Sequence, residues 1–224
     1  MTLPTIEFET CAEPAFAVIW LHGLGADGSD FVPVAKALQL PARFIFPHAP
    51  VRPVTLNGGY RMRAWYDIYS LDMNCAEDRE GIFDSQRSIA ELIAREERRG
   101  VVADHVFLAG FSQGGAIALH AGLRHPSKLA GLLALSTYLP LADTVRDEAH
   151  PANSRTPVFM AHGVEDDVIP ISAGLASRNA LVNLGHDVAW RQYGMAHSVC
   201  QDEIEDISGW MAGIISGIRD TETP

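Results

Sequence analysis

The sequence predicts an α/β fold in which one doubly wound, mostly parallel sheet carries helices on both faces. Nearly continuous apolar runs of strand length alternate along the chain with longer runs whose apolar residues recur at helical spacing. Continuous apolarity is typical of parallel strands buried on both faces, and the alternation is typical of a doubly wound sheet. We find no linker, repeat or low-complexity segment. We therefore expect one domain over residues 1–218, without a large lid domain, and a polar tail over residues 219–224.

Seven runs have the length and composition of strands. We expect an edge strand at Thr5–Glu9 and further strands at residues 15–21, 43–46, 106–109, 132–135, 157–160 and 188–193. The run at residues 15–21 contains no polar residue, as a strand buried on both faces requires.

Five stretches have the spacing of helices, namely residues 31–38, 85–99, 116–123, 172–184 and 203–218. In the second, Ile89, Leu92 and Ile93 fall on one stripe, and Asp84 or Ser85 can cap the N-terminus. In the last, apolar residues recur mostly at intervals of three and four, which predicts one buried face.

The connection over residues 50–83 is longer than a doubly wound sheet needs, and it is rich in glycine, asparagine and aromatic residues. Connections of this length usually carry function or fold over a site. A β-hairpin that packs its aromatic residues on the domain is an equally simple interpretation. The two are compatible, since a fixed hairpin can also form one wall of a substrate groove.

Composition excludes several classes of protein. The net charge of −11 makes the surface a poor match for nucleic acid or an anionic membrane. Cys11, Cys75 and Cys200 are too scattered for a disulfide framework or a C-x-x-C metal site, which favours a reduced, cytoplasmic setting. No stretch approaches the roughly 20 apolar residues that a membrane span needs.

The pentapeptide Gly-Phe-Ser-Gln-Gly at residues 110–114 is the most informative motif. It follows a predicted strand and opens a run of helical character over residues 113–125. Glycines on both sides of Ser112 permit the sharp turn that exposes a serine hydroxyl, which is the nucleophile elbow of an α/β-hydrolase. A glycine-rich turn whose serine caps the helix is the alternative.

A serine hydroxyl needs a base, and on this fold the chain order is serine, acid, histidine. His197 follows the last predicted strand and therefore falls at the carboxyl edge of the sheet, where ligands bind in open α/β folds. The other histidines precede the serine, lie in the serine's own strand or helix, or stand before the last strand. His197 is therefore the candidate base.

The acid should follow the preceding strand, where three carboxylates stand together at residues 165–167. Spacing does not separate Asp166 from Asp167. His162, at the start of this segment, is interpreted as a hydrogen-bonded structural residue.

Negative charge on the substrate oxygen requires preorganised donors. One candidate is the backbone N–H of Gln113, directly after the serine, and the second is that of Leu24 in the glycine-rich segment at residues 23–28. This segment spells G-x-G-x-x-G but has no Walker lysine, and no acidic residue follows at the spacing of a dinucleotide site. A plain βα turn is the alternative for the segment taken in isolation.

Together these motifs resemble the carboxylesterase and acyl-protein thioesterase family of α/β-hydrolases, also called the phospholipase/carboxylesterase family. The resemblance spans residues 16–210 and depends on residues 21–25, 47–50, 64–67, 110–115 and 162–170 and on His197. It implies Ser112 as nucleophile, Asp166 as acid, His197 as base, and the amides of Leu24 and Gln113 as oxyanion donors. Two departures are Val164, where some members have Asp, and Ala196, where many have Gly.

These residues predict a serine carboxylesterase that hydrolyses carboxylic esters, and thioesters by the same chemistry, without a metal or organic cofactor. The alternatives are an acyl-protein thioesterase or lysophospholipase for long acyl chains, and a non-catalytic binding protein on a hydrolase fold. The expected partners are a small ester and, for the thioesterase, an acylated protein. A homodimer is compatible with the sequence but not demanded by it.

Overall fold

The computed structural model describes residues 3–70 and 76–222, so the prediction for Cys75 lies outside the described residues. Nine strands are present in this part of the chain: β1 (Thr5–Glu9), β2 (Ala17–Leu21), β3 (Arg43–Pro47), β4 (Val51–Val54), β5 (Tyr60–Arg63), β6 (Val106–Phe111), β7 (Gly131–Leu135), β8 (Val158–Gly163) and β9 (Val188–Tyr193). The helices are α1 (Val32–Ala37), α2 (Arg79–Arg98), α3 (Gln113–Arg124), α4 (Val145–Glu148), α5 (Ile171–Asn183) and α6 (Gln201–Glu222).

Seven strands form one sheet in the order β1-β3-β2-β6-β7-β8-β9. Only the edge strand β1 is antiparallel, and the others pair in parallel. The chain leaves the middle of the sheet twice in opposite directions, which is the doubly wound topology. All seven predicted strands are present, and the predicted fold class is confirmed.

Both faces of the sheet are covered, because side chains along each central strand alternate between two cores. In β2, Ile19 and Leu21 pack in the core beneath α2, α3 and α5, whereas Val18 and Trp20 pack in the core beneath α1 and α6. Each of these side chains is fully buried. This two-sided burial explains why the strands are apolar throughout instead of alternating.

The long connection after β3 is the predicted hairpin. Strands β4 and β5 pair antiparallel as a separate two-stranded sheet, with Gly58 and Gly59 at positive φ in the turn. The aromatic residues that follow, Trp65 and Tyr66, are buried against the domain.

Helix α2 begins earlier than predicted. Asp78, and not Asp84 or Ser85, caps it, and its side chain accepts a hydrogen bond from the Gly81 amide at 3.0 Å. The apolar stripe starts only at Ile82, so a periodicity argument misses the polar first turn.

Helix α6 continues to Glu222, where a polar tail was expected from residue 219. The guanidinium of Arg219 lies over the ring of Phe16, 5.6 Å from its centroid, which favours the additional turn. Composition shows that these residues are polar, but it does not reveal this contact.

Candidate active site

Five segments that follow the parallel strands meet at one edge of the sheet. In register, Leu21 of β2 lies beside Gly110 of β6, Phe111 of β6 beside Leu135 of β7, and Gly163 of β8 beside Tyr193 of β9. Residues that directly follow these positions therefore share the carboxyl edge of the sheet, where open α/β folds bind ligands.

Ser112 occupies a strained turn between β6 and α3. Its φ of 54° and ψ of −124° are rare for a residue with a side chain, and such strain is concentrated at functional sites. Although Ser112 stands at the N-cap position of α3, its side chain makes no capping hydrogen bond. The interpretation of Ser112 as a simple helix cap is therefore wrong.

The two flanking glycines are required by close backbone contacts. A Cβ on Gly110 would lie 2.3 Å from the carbonyl of Gly114, and a Cβ on Gly114 would lie 2.3 Å from the oxygen of Leu21. The turn can therefore form only because both positions lack a side chain.

His197 and Asp166 are in direct contact, with 2.7 Å between Nδ1 of the imidazole and Oδ2 of the carboxylate. The side chain of Asp166 is completely buried, whereas 15% of the His197 side chain is exposed. Asp167 is exposed. The ambiguity that spacing left between the two aspartates is thus resolved by geometry, since Asp166 is the one that reaches the imidazole.

Asp166 is held by its own turn. Its Oδ1 accepts the amides of Val168 and Ile169 at 3.0 and 2.8 Å, which leaves Oδ2 for the histidine. His162 has the structural role that the sequence predicts, because its Nε2 is 2.8 Å from the carbonyl oxygen of Ile169. Burial lowers the pKa of His162, so it stays neutral behind the acid.

The loop that carries His197 is bound to the turn that carries Asp166. The amides of Val164 and Glu165 donate to the carbonyls of Tyr193 and Met195. A Cβ on Gly163 would lie 2.3 Å from the Met195 oxygen, so close packing of the two segments depends on that glycine. These backbone contacts fix the position of His197 relative to Asp166.

The imidazole of His197 lies beside the elbow. Its ring centroid is 4.7 Å from that of Phe111, the residue that precedes Ser112. The structure therefore brings the predicted base and acid together at the residue next to the predicted nucleophile.

The two predicted oxyanion segments also meet here. A Cβ built on Gly23 would be 3.5 Å from Cβ of Ser112, so the segment that contains Leu24 lies against the serine. The amide of Gln113 is the first of α3, and the first four amides of an α-helix have no partner within the helix. The hairpin supports this segment, since the Gly25 amide donates to the carbonyl of Arg63 in β5.

Sequence reasoning missed what the side chain of Gln113 does. Its Oε1 accepts the Trp65 amide at 2.9 Å, and its Nε2 donates to the Tyr66 carbonyl at 2.7 Å. Gln113 is buried, and it attaches the segment after the hairpin to the elbow. No local pattern reveals a contact across 48 residues.

His22 is a second residue whose role was missed. Its Nε2 accepts the Ala49 amide at 3.0 Å, so the proton resides on Nδ1 and is donated to the Gly23 carbonyl at 2.7 Å. Burial lowers the pKa of His22 to about 4, so this neutral tautomer persists at physiological pH. The Trp65 indole donates to the His22 carbonyl, which fixes the start of the glycine-rich segment.

A cavity of about 410 Å³ opens between the segment after the hairpin, the chain after β7 and helix α5, and Ser112, Asp166 and His197 are not among its described lining residues. Its described lining comes from residues 66–70, 76 and 77, from residues 138, 139 and 142, and from one side of α5. The first wall belongs to the connection over residues 50–83, interpreted from the sequence as able to form one wall of a substrate groove, whereas the contribution of α5 was not predicted. The volume is at the lower end of the roughly 300–1,000 Å³ range of ligand pockets.

Two of the rejected histidines lie in structural positions away from this edge. The ring of His105 stacks on Phe16 at 4.5 Å, and His120 Nε2 is 2.9 Å from Gln86 Oε1 between α3 and α2.

Cys11 and Cys200 are free thiols. In residues 3–70 and 76–222, no three His, Cys, Asp or Glu side chains are grouped to hold a metal ion. Within the same residues, no helix is long and apolar enough to span a membrane.

Comparison with known proteins extends over almost the entire chain. Residues 7–215 match the sequence model of the phospholipase/carboxylesterase family. Acyl-protein thioesterase 1 of Yarrowia lipolytica is 39% identical over 217 residues, which cover 93% of this chain and 96% of that protein. Acyl-protein thioesterase 1 of Gibberella zeae is 40% identical over 217 residues, covering 91% and 92%.

Solved structures agree with this result. Zea mays acyl-protein thioesterase 2 superposes with a TM-score of 0.86 at 28% identity, covering 94% of this chain and 98% of that one. Arabidopsis thaliana SOBER1 superposes with a TM-score of 0.85 at 28% identity, covering 89% and 99%.

Proposed function

This chain belongs to the phospholipase/carboxylesterase family of hydrolases, and from that premise we propose that it is a serine hydrolase of carboxylic esters and thioesters. Ser112 would be the nucleophile, His197 the general base and Asp166 the acid that orients it. The observation that carries this proposal is the 2.7 Å contact between His197 and the buried Asp166, next to a strained serine that does not cap its helix.

Acylation follows from these positions. As Ser112 Oγ attacks the substrate carbonyl, Nε2 of His197 takes the hydroxyl proton. Asp166 accepts a hydrogen bond from the Nδ1–H of His197, which keeps that proton on Nδ1 and stabilises the imidazolium that forms. The carbon–oxygen or carbon–sulfur bond of the substrate then breaks, and His197 gives its proton to the departing alcohol or thiol.

The amides of Leu24 and Gln113 would donate to the oxygen of the tetrahedral intermediate. Preorganised donors are effective because they need no rearrangement while charge develops. Removing one such donor in other hydrolases typically slows turnover by about 10²–10³-fold. Here His22, Trp65 and the Gln113 side chain support the two segments that carry these amides.

Deacylation reverses the roles. Water enters after the alcohol or thiol leaves, His197 takes its proton, and attack on the acyl-enzyme releases the acid and restores Ser112. Since esters and thioesters pass through the same acyl-enzyme, the triad alone does not select between them.

The cavity is the proposed acyl site, because two of its lining residues are joined to the elbow. The Tyr66 carbonyl accepts a hydrogen bond from Gln113, and Tyr138 follows Thr137, whose hydroxyl donates to the Ser112 carbonyl. A more specific candidate is an acyl-protein thioesterase, with acylated proteins as substrates. The names of the relatives from Yarrowia lipolytica and Gibberella zeae favour this candidate.

The test compares Ser112→Ala with Ser154→Ala, a matched change at an exposed serine. Labelling by a fluorophosphonate probe, and hydrolysis of p-nitrophenyl esters and acyl-CoA thioesters of increasing chain length, should both be lost only in the first variant. The residual rate of Ser112→Ala should be about 10³–10⁴-fold over water, from the oxyanion donors and binding alone. Near-normal hydrolysis by Ser112→Ala would refute the proposal, and no labelling of the folded parent protein would favour a binding protein.

A further inference from the structure

Two tyrosine hydroxyls meet in the wall of the cavity. The hydroxyl oxygens of Tyr66 and Tyr138 are 2.8 Å apart, and both residues line the cavity. Tyr66 is almost completely buried and Tyr138 is half-buried. Two polar groups are thus placed where a plain hydrocarbon chain would need none.

The two hydroxyls carry two protons, and the hydrogen bond between them uses only one. Each tyrosine hydroxyl is both donor and acceptor, and one proton suffices for the bond between them. Among the described residues, neither hydroxyl has a second hydrogen-bond partner. Burial raises the pKa of Tyr138 to about 12 and that of Tyr66 well above its usual value, so both protons are retained. One O–H therefore remains to be donated.

Glu77, which also lines the cavity, provides an unused hydrogen-bond acceptor. Its Oε2 accepts the Leu141 amide at 2.8 Å, whereas its Oε1 is buried without a hydrogen-bond partner. Buried polar atoms without partners are unfavourable, and a ligand that supplies the missing partner gains affinity. The wall therefore offers one unused donor and one unused acceptor.

Hydrogen bonds connect the segments of both tyrosines to the elbow. The carbonyl of Tyr66 accepts the side-chain amide of Gln113, the residue after the nucleophile. Tyr138 follows Thr137, whose hydroxyl donates to the Ser112 carbonyl at 2.6 Å. Both cavity tyrosines are thus joined to the elbow by backbone contacts, which supports the cavity as the proposed acyl site.

A hydroxyl group on a ligand can satisfy both unused groups of the wall, since its oxygen accepts a hydrogen bond and its proton donates one. We propose that this cavity selects acyl groups that carry a hydroxyl, with Tyr138 donating to the substrate oxygen and Glu77 accepting its proton. This inference rests on the proposed function, because it concerns the acyl group that Ser112 would receive.

The experiment measures kcat and KM for methyl octanoate and for methyl hydroxyoctanoates with the hydroxyl at successive carbons, by titration of the released acid. For at least one isomer, kcat/KM should exceed that of methyl octanoate by about tenfold, mainly through KM, as expected for one or two additional hydrogen bonds. In Tyr138→Phe and Glu77→Gln this ratio should fall towards one for the same isomer. Glu77→Gln keeps an acceptor for the Leu141 amide, so the loop should remain in place.

Tyr60→Phe is the matched control, since Tyr60 is 70% exposed and is not among the cavity residues. Its ratio should equal that of the parent protein. Equal kcat/KM for octanoate and every hydroxy isomer would overturn the inference and leave the hydrolase intact. A preference that survives both Tyr138→Phe and Glu77→Gln would also overturn it. If no ester is hydrolysed and a fluorophosphonate does not label Ser112, the hydrolase proposal fails instead, and this inference fails with it.

Discussion

Replacing Gly114 by alanine tests whether close backbone packing holds the elbow against the end of β2 and the glycine-rich segment that follows it. The new Cβ would lie 2.3 Å from the Leu21 oxygen and 2.5 Å from the His22 oxygen. Both obstacles are backbone atoms, and the carbonyl of His22 is also fixed by the Trp65 indole. The backbone would therefore have to move by several tenths of an ångström or more.

Overpacking of this kind typically lowers the free energy of unfolding by about 1–3 kcal/mol. For a domain of this length, that lowers Tm by about 2–12 °C. A displacement near 1 Å can also reduce turnover by about 10²-fold, because the His22 carbonyl lies only two residues before Leu24. Calorimetry and p-nitrophenyl ester hydrolysis measure the two effects separately.

Gly213→Ala is the matched control, because a Cβ at Gly213 on α6 meets no atom within 4 Å. There the same change should stabilise the helix by about 0.5–1 kcal/mol and raise Tm. Opposite signs for the two variants are the expected result. A Gly114→Ala protein with unchanged Tm and unchanged activity would refute the packing argument.

Two further predictions concern carboxylates. Asp166→Asn should lower kcat by about 10⁴-fold, since the amide no longer holds the imidazole tautomer. Asp167→Asn should retain most activity. Steady-state kinetics measures both, and similar losses in the two variants would contradict the assignment of Asp166. Burial raises the pKa of Glu203 to about 8, so the folded protein binds a proton that the unfolded chain releases near pH 4.5. The free energy of unfolding should therefore fall as the pH rises from about 4.5 to about 8, by up to about 1.4 kcal/mol per pH unit. Glu203→Gln should flatten the profile of Tm against pH across this window, and parallel profiles for the two proteins would show that Glu203 does not cause it.

The elements that could be predicted from the sequence are those with a strong local signal. Strands β2 and β6 to β8 are almost entirely apolar because they are buried on both faces, so their identity can be read from composition alone. The elbow is also local, because two glycines and a serine within five residues specify the turn. The order of Ser112, Asp166 and His197 along the chain then follows from the order of the strands.

The structure was needed wherever the decisive contact joins distant parts of the chain. Spacing does not separate Asp166 from Asp167, and beyond the family resemblance it is the contact with His197 that distinguishes Asp166. The hydroxyl pair of Tyr66 and Tyr138 joins residues 72 positions apart. Local sequence determines which segments become strands, helices and sharp turns, because backbone sterics and burial act over a few residues. Which side chains share a proton or line a cavity is determined by tertiary packing, because that depends on how the sheet aligns the ends of its strands.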